Sequence, residues 1–92
     1  MKLELKKFGE LLTSRPAGKE AYLSAKAYTL PKDTKATIEV DFSGVKVLSP
    51  SWADEFLTPL QRDFPAVTMV NTANPSVKAT LDILARFSHP RP

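Results

Sequence analysis

Ser49, Ser51, Asp54 and Glu55 place two hydroxyls and two carboxylates in one short stretch of the chain. A hydroxyl becomes a nucleophile only with a base positioned to take its proton. The sole histidine, His89, lies among prolines at the end of the sequence. Without a second histidine or any cysteine, neither a catalytic triad nor a zinc site has its parts. Asp54 and Glu55 look like an acid–base pair. Adjacent helical residues, however, point about 100° apart and do not face each other. In the first turns of a helix such carboxylates complement the macrodipole. Ser51 with Asp54 also fits a capping box in which Asp replaces the usual Glu. Asp41 ends a strand-like run, where an acid can hold magnesium or accept phosphate. Such sites need further acids nearby, and no D-x-D motif or acidic cluster follows. The segment Arg15-Pro16-Ala17-Gly18-Lys19 is half of a phosphate-binding loop, but Thr13 stands where the full pattern needs its first glycine. Arg15 and Lys19 are then either solvated charges or an anion-binding pair at a helix start. No nucleophile, base and oxyanion donor can be nominated together. The residues therefore point away from an enzyme, and no catalytic, cofactor or metal ligand is assigned.

The elements that position these side chains follow from periodicity. Leu3 and Leu5, with Phe8 beyond them, alternate with Lys2, Glu4 and Lys6 as in a strand. Ser14 is an N-cap with Pro16 tolerated in the first turn, so a helix runs over 15–28. Its buried stripe is Ala17, Ala21, Ala25 and Tyr28. Ile38, Val40 and Phe42 alternate with Glu39 and Asp41 in a half-buried strand over 36–42. Gly44 punctuates a turn that calls for positive φ. Ser49 or Ser51 caps a second helix starting near Pro50, with Ala53, Phe56, Leu57 and Leu60 on one stripe. Pro59 predicts a kink or an early end. Residues 66–70 read as a short buried strand. Asn74-Pro75 caps a third helix that buries Val77, Leu81, Leu84 and either Ala85 or Phe87. Trp52 sits beside the cap, off the clean stripe. It is either the lid of the core or an exposed partner anchor.

The chain of 92 residues allows one domain, expected over 1–88 with a tail at 89–92. The order β-α-β-α-β-α makes this an α/β protein, and right-handed crossover predicts parallel strands around the second helix. Absence of cysteine suits a reducing compartment. No apolar run approaches the ~20 residues of a membrane helix, and the charged start of the chain does not read as a signal peptide. A cytoplasmic location is expected. The net charge of +3 comes from 13 basic and 10 acidic side chains, interspersed rather than gathered on one helix. That argues against a nucleic-acid binder.

Phe42-x-Gly44-Val45 followed by Ser51-Trp52-Ala53-Asp54-Glu55 resembles the F-x-G-V … S-F-A-D-E signature of STAS-like domains of uncharacterised function. These are relatives of the sulfate-transporter and anti-sigma-factor-antagonist domains. Thr13-Ser14-Arg15 with Gly18-Lys19 is similar to the basic segment before that family's first helix. Residues 67–71 with Val77 and Leu81 look like its last strand and helix. The resemblance implies a small STAS-like domain: a mixed sheet of about four strands with helices packed mainly on one face. It also implies a regulatory, protein-binding role, with a histidine-kinase-like ATPase as the partner. The binding surface would comprise Ser49, Ser51, Trp52, Asp54, Glu55 and Arg15. In the antagonists a serine in this loop is phosphorylated, and the alignment puts Pro50 at that position. A displaced phosphorylation at Ser51 or Ser49 is the remaining form of that switch. The alternative is a small-ligand or nucleotide sensor using Arg15, Lys19 and the helix N-termini.

Overall fold

Strands that alternate apolar with polar residues give a sheet one dry face and one wet face. The computed structural model, which describes residues 1–87, has that form. Strand β1 is Lys2–Glu4, followed by a 3-10 turn at Leu5–Phe8. Strand β2 is Leu11–Leu12 and helix α1 is Arg15–Tyr28. Strands β3, Ile38–Asp41, and β4, Val47–Leu48, precede helix α2, Pro50–Asp63. Strand β5, Val67–Val70, and helix α3, Pro75–Phe87, complete the order.

The three-stranded sheet has the order β1-β3-β5, and β2 pairs separately with β4. Every described pairing is parallel. The α/β class stands, as does the parallel relation of β3 and β5 across α2. The expected mixed sheet of about four strands is corrected to an all-parallel arrangement of three plus two. The reason is connectivity: a helix returns the chain before β3 and again before β5, so β1, β3 and β5 run in the same direction. The β2–β4 pair is only two residues long, too short to show a period.

Register explains how the faces divide. Leu3, Val40 and Met69 share one row, as do Lys2, Glu39 and Thr68 in the next. The Leu3–Val40 face meets the helices in one core containing Leu12, Ala53, Phe56, Leu57, Leu60 and Val77. The Lys2–Glu39 face is polar. Helices therefore cover one side of this sheet, as expected. β5 lies at the sheet edge and is only half-buried, so the fully buried strand expected there is corrected.

Helix α1 has the predicted bounds but a different buried stripe: Gly18, Ala21, Tyr22 and Ala25. Ala17 is exposed, and Tyr28 is 88% exposed. Ala21 and Ala25 are buried as expected, while Gly18 and Tyr22 take the places of Ala17 and Tyr28, because Gly18, lacking a Cβ, lies against the backbone of α2 at Trp52. Pro59 does not end α2, which continues to Asp63. In α3, Val77 and Thr80 are buried, Leu81 and Leu84 pack on the core, and Ala85 is exposed. Gly44 has φ +84°, the positive value its turn calls for. Residues 89–92, including His89, lie outside the described residues.

Candidate functional site

The β2–β4 pair delivers α1 and α2 to the same end of the molecule. Leu12 and Leu48 are register partners, and a cap and helix follow each. Ser14 Oγ accepts from the Ala17 N–H at 3.2 Å. Ser49 Oγ accepts from the Trp52 N–H at 3.2 Å, and its hydroxyl donates to the Thr13 carbonyl at 2.6 Å. Ser49 is thus both the cap of α2 and the tie between the two helix starts. Ser51 is not the cap. It occupies the second helical position and is half-buried, so the Ser51–Asp54 capping box is corrected. A cap must have extended backbone angles, and Ser49 has them, with φ −91° and ψ 154°.

Arg15 joins the two helices from the other side. Its Nη1 donates to Asp54 Oδ2 at 3.0 Å and to Glu55 Oε2 at 2.6 Å. Asp54 also accepts from Thr58 Oγ1 at 2.9 Å. Arg15, and to a lesser degree Thr58, holds the Asp54 carboxyl below the usual carboxylate range. The paired carboxylates are therefore ligands of one guanidinium rather than an acid–base couple. Lys19 is exposed on α1.

Trp52 is 1% exposed and stacks on Phe56 with ring centroids 4.9 Å apart and planes 14° apart. The exposed-anchor reading is corrected: Trp52 is the core's lid. Its backbone lies against Gly18, where an added Cβ would stand 2.5 Å from the Trp52 carbonyl oxygen. Side-chain periodicity could not reveal this, because the contact is made by main chain.

Sequence reasoning missed an exposed apolar pair. Leu11 is 66% exposed and Val47 is 40% exposed, and they are register partners on the outer face of the β2–β4 pair. A two-residue strand gives no periodic signal that would place them together. Also missed was the closure of β4 by α3. Asn74 Nδ2 donates to the Lys46 carbonyl at 3.1 Å, and its Oδ1 accepts from the Ser76 N–H at 2.7 Å. Ser76 Oγ accepts from the Leu48 N–H at 3.0 Å, while Thr80 Oγ1 donates to the Leu48 carbonyl at 2.5 Å. Side chains of α3 and of Asn74 just before it thereby satisfy backbone groups at and beside β4.

Asp41 lies on the polar sheet face and is 3% exposed. Its Oδ1 accepts from Asn71 Nδ2 at 2.8 Å and from the Ser43 N–H at 2.9 Å. Lys2 Nζ is 3.3 Å from its other oxygen. The Asn71 amide, then the Ser43 N–H, hold the Asp41 carboxyl well below the usual range. It is a joint between strand ends. Among the described residues, no three His, Cys, Asp or Glu side chains gather as a metal site.

A parallel α/β domain with helices on one sheet face, and a capped strand-to-helix loop at its end, defines the architectural class. The family described as a STAS-like domain of unknown function (DUF4325) matches residues 26–78, more than half of the chain. The chain belongs to that family. The match holds the Phe42–Gly44 and Ser51–Glu55 signature but not the 13–19 segment or Leu81, so the resemblance of those pieces is not carried by it. No curated protein and no solved structure matches the chain. Among the described residues, no helix is long and apolar enough to cross a membrane.

Proposed function

We propose that this chain is a non-enzymatic regulatory domain that binds another protein through the end where α1 and α2 begin. The observation that carries the reading is the exposed Leu11–Val47 register pair, on the two strands that lead into α1 and α2 and next in sequence to the Glu10–Lys46 ion pair. An apolar patch rimmed by charge is the general form of a protein-docking surface. Glu10 and Lys46, paired at 3.5 Å, supply charge next to it in sequence, and Arg15, Asp54 and Glu55 supply charge in the first two turns of α1 and α2. The class of partner implied by STAS resemblance is a histidine-kinase-like ATPase.

By the STAS resemblance Pro50 takes the place of the phosphorylated serine, so a switch would use another residue. The Ser49 hydroxyl is engaged on both sides as a cap. Ser51 is the better acceptor. It precedes Asp54 and Glu55 by three and four residues, which places all three on one side of α2. A phosphate there would gain from the helix N-terminus and compete with both carboxylates for Arg15. The alternative sensor at Arg15 and Lys19 has less support, because Arg15 already holds two carboxylates.

Affinity capture from native extract, with and without ATP, tests the reading with Leu11→Asp, Val47→Asp and Ser51→Asp variants. A kinase-like ATPase retained by the native chain and lost from the Leu11 and Val47 variants supports it. Equal recovery by all of them would move the surface elsewhere. Recovery of no specific protein under any condition would overturn the interaction reading.

A further inference from the structure

The opposite end of the α1–α2 pair carries a second feature. A cleft of about 590 Å³ opens between the last turns of both helices and the loop after α1. That volume is within the ~300–1,000 Å³ of sites for small organic ligands. Its floor includes Leu30, Pro31 and Phe64, and its cations are Lys26, Lys32 and Arg62. We propose that this cleft binds a small organic anion, with a ring or alkyl body on the floor and a phosphate or carboxylate among the three cations.

Charge complementarity supports that occupant. Asp63 is the acid lining the cleft, and it is already engaged. Tyr22 Oη donates to it at 2.5 Å, and Arg62 Nε donates at 3.2 Å. The Tyr22 hydroxyl first, then Arg62, keep the Asp63 carboxyl below its ordinary range, so it stays ionised and holds Arg62 at the rim. Neither Lys26 nor Lys32 has an acidic partner within 4.0 Å among the described residues. Lys26 and Arg62 also complement the C-terminal ends of their helices. Lys32 belongs to neither helix, so helix stabilisation does not account for its place beside them. The apolar floor separates this cleft from a patch of solvated lysines. An ion alone would need only the rim.

The test uses phenyl phosphate as probe, with inorganic phosphate and phenol as its two halves. Binding is read by amide chemical shifts and by the rise in melting temperature. Phenyl phosphate should bind more tightly than either half and move the signals of Lys26, Leu30, Arg62 and Phe64. A Lys26→Ala/Lys32→Ala double variant should weaken it at least tenfold. A Lys7→Ala/Lys78→Ala variant, with the same charge change at exposed positions elsewhere, should not. Equal weakening by both variants would reduce the effect to diffuse attraction and overturn the proposal. So would inorganic phosphate binding as tightly as phenyl phosphate, or absence of binding at millimolar probe. Tighter binding of an oligoglutamate peptide at the same residues would assign the cleft to an acidic protein segment and sink the small-anion reading. These variants change none of Leu11, Val47, Arg15, Asp54 and Glu55, so either reading can fail without the other.

Discussion

Gly18→Ala isolates the contact that sets the spacing of α1 and α2. The new Cβ would stand 2.5 Å from the Trp52 carbonyl oxygen, 3.0 Å from its Cα and 3.1 Å from its carbonyl carbon. Ordinary contact begins near 3.4 Å, so the helices must part by roughly 0.9 Å at this point. All three opposing atoms are main chain, and no rotamer change can relieve them. Overpacking of this kind costs ~1–3 kcal/mol, and rigid atoms on both sides put it at the upper end. Alanine gains about 1 kcal/mol over glycine in helix propensity. The net expectation is a loss of about 2 kcal/mol. For a domain of this size that lowers the melting temperature by ~8–16 °C. Thermal and urea unfolding by circular dichroism would measure it. Ser24→Ala, at an exposed site on the same helix, should be neutral or slightly stabilising. A Gly18→Ala protein as stable as the native chain, with an unchanged urea dependence, would refute the close approach.

Ser49→Ala should cost about 1–2 kcal/mol in urea unfolding, since it removes a cap and leaves the Thr13 carbonyl without its donor. Ser51→Ala should stay within ~0.5 kcal/mol of the native chain, and the reverse order would show that the cap had been misplaced. Trp52→Ala should cost ~3–5 kcal/mol by opening a core cavity. In the native chain, acrylamide should quench Trp52 emission poorly; efficient quenching would contradict its burial. Asp41 ties stability to pH. Its folded carboxyl titrates below the unfolded value near pH ~4, so its contribution is full above that value. That contribution is lost as pH falls through the folded value. Asp41→Asn should therefore lower stability at neutral pH and flatten its acid decline. An unchanged acid limb in urea titrations would count against the Asn71–Asp41–Lys2 joint.

Local patterns made much of the fold readable before the structure. Ile38, Val40 and Phe42 set the face of β3 because strand side chains alternate whatever their neighbours do. Ser14 and Asn74, each before a proline-bearing helix start, marked α1 and α3 because an unsatisfied N–H needs an acceptor at once. At α2 the same logic left Ser49 and Ser51 both eligible. The Thr13 carbonyl, which receives the Ser49 hydroxyl, comes from a different segment and decides between them.

The candidate site was legible in its members and illegible in its arrangement. The Asp54–Glu55 pair could be excluded as a facing couple from helix geometry alone, but its attachment to Arg15 spans about forty residues of sequence. Trp52 fitted lid or anchor equally, since an aromatic beside a cap serves either use until its neighbours are known. Its stack on Phe56 and the approach of Gly18 place it inside. Gly18 itself looked like a fragment of a phosphate loop, whereas its missing Cβ makes room for another helix's backbone. The sequence by itself determined the α/β class, the dry faces of β1 and β3 and the stripe of α2, because these depend on periods within one segment. Only the tertiary structure decided the β2–β4 pairing, the Leu11–Val47 patch and the cleft at the far end of the helices. Each brings together residues distant in the chain, and no local propensity encodes such a distance.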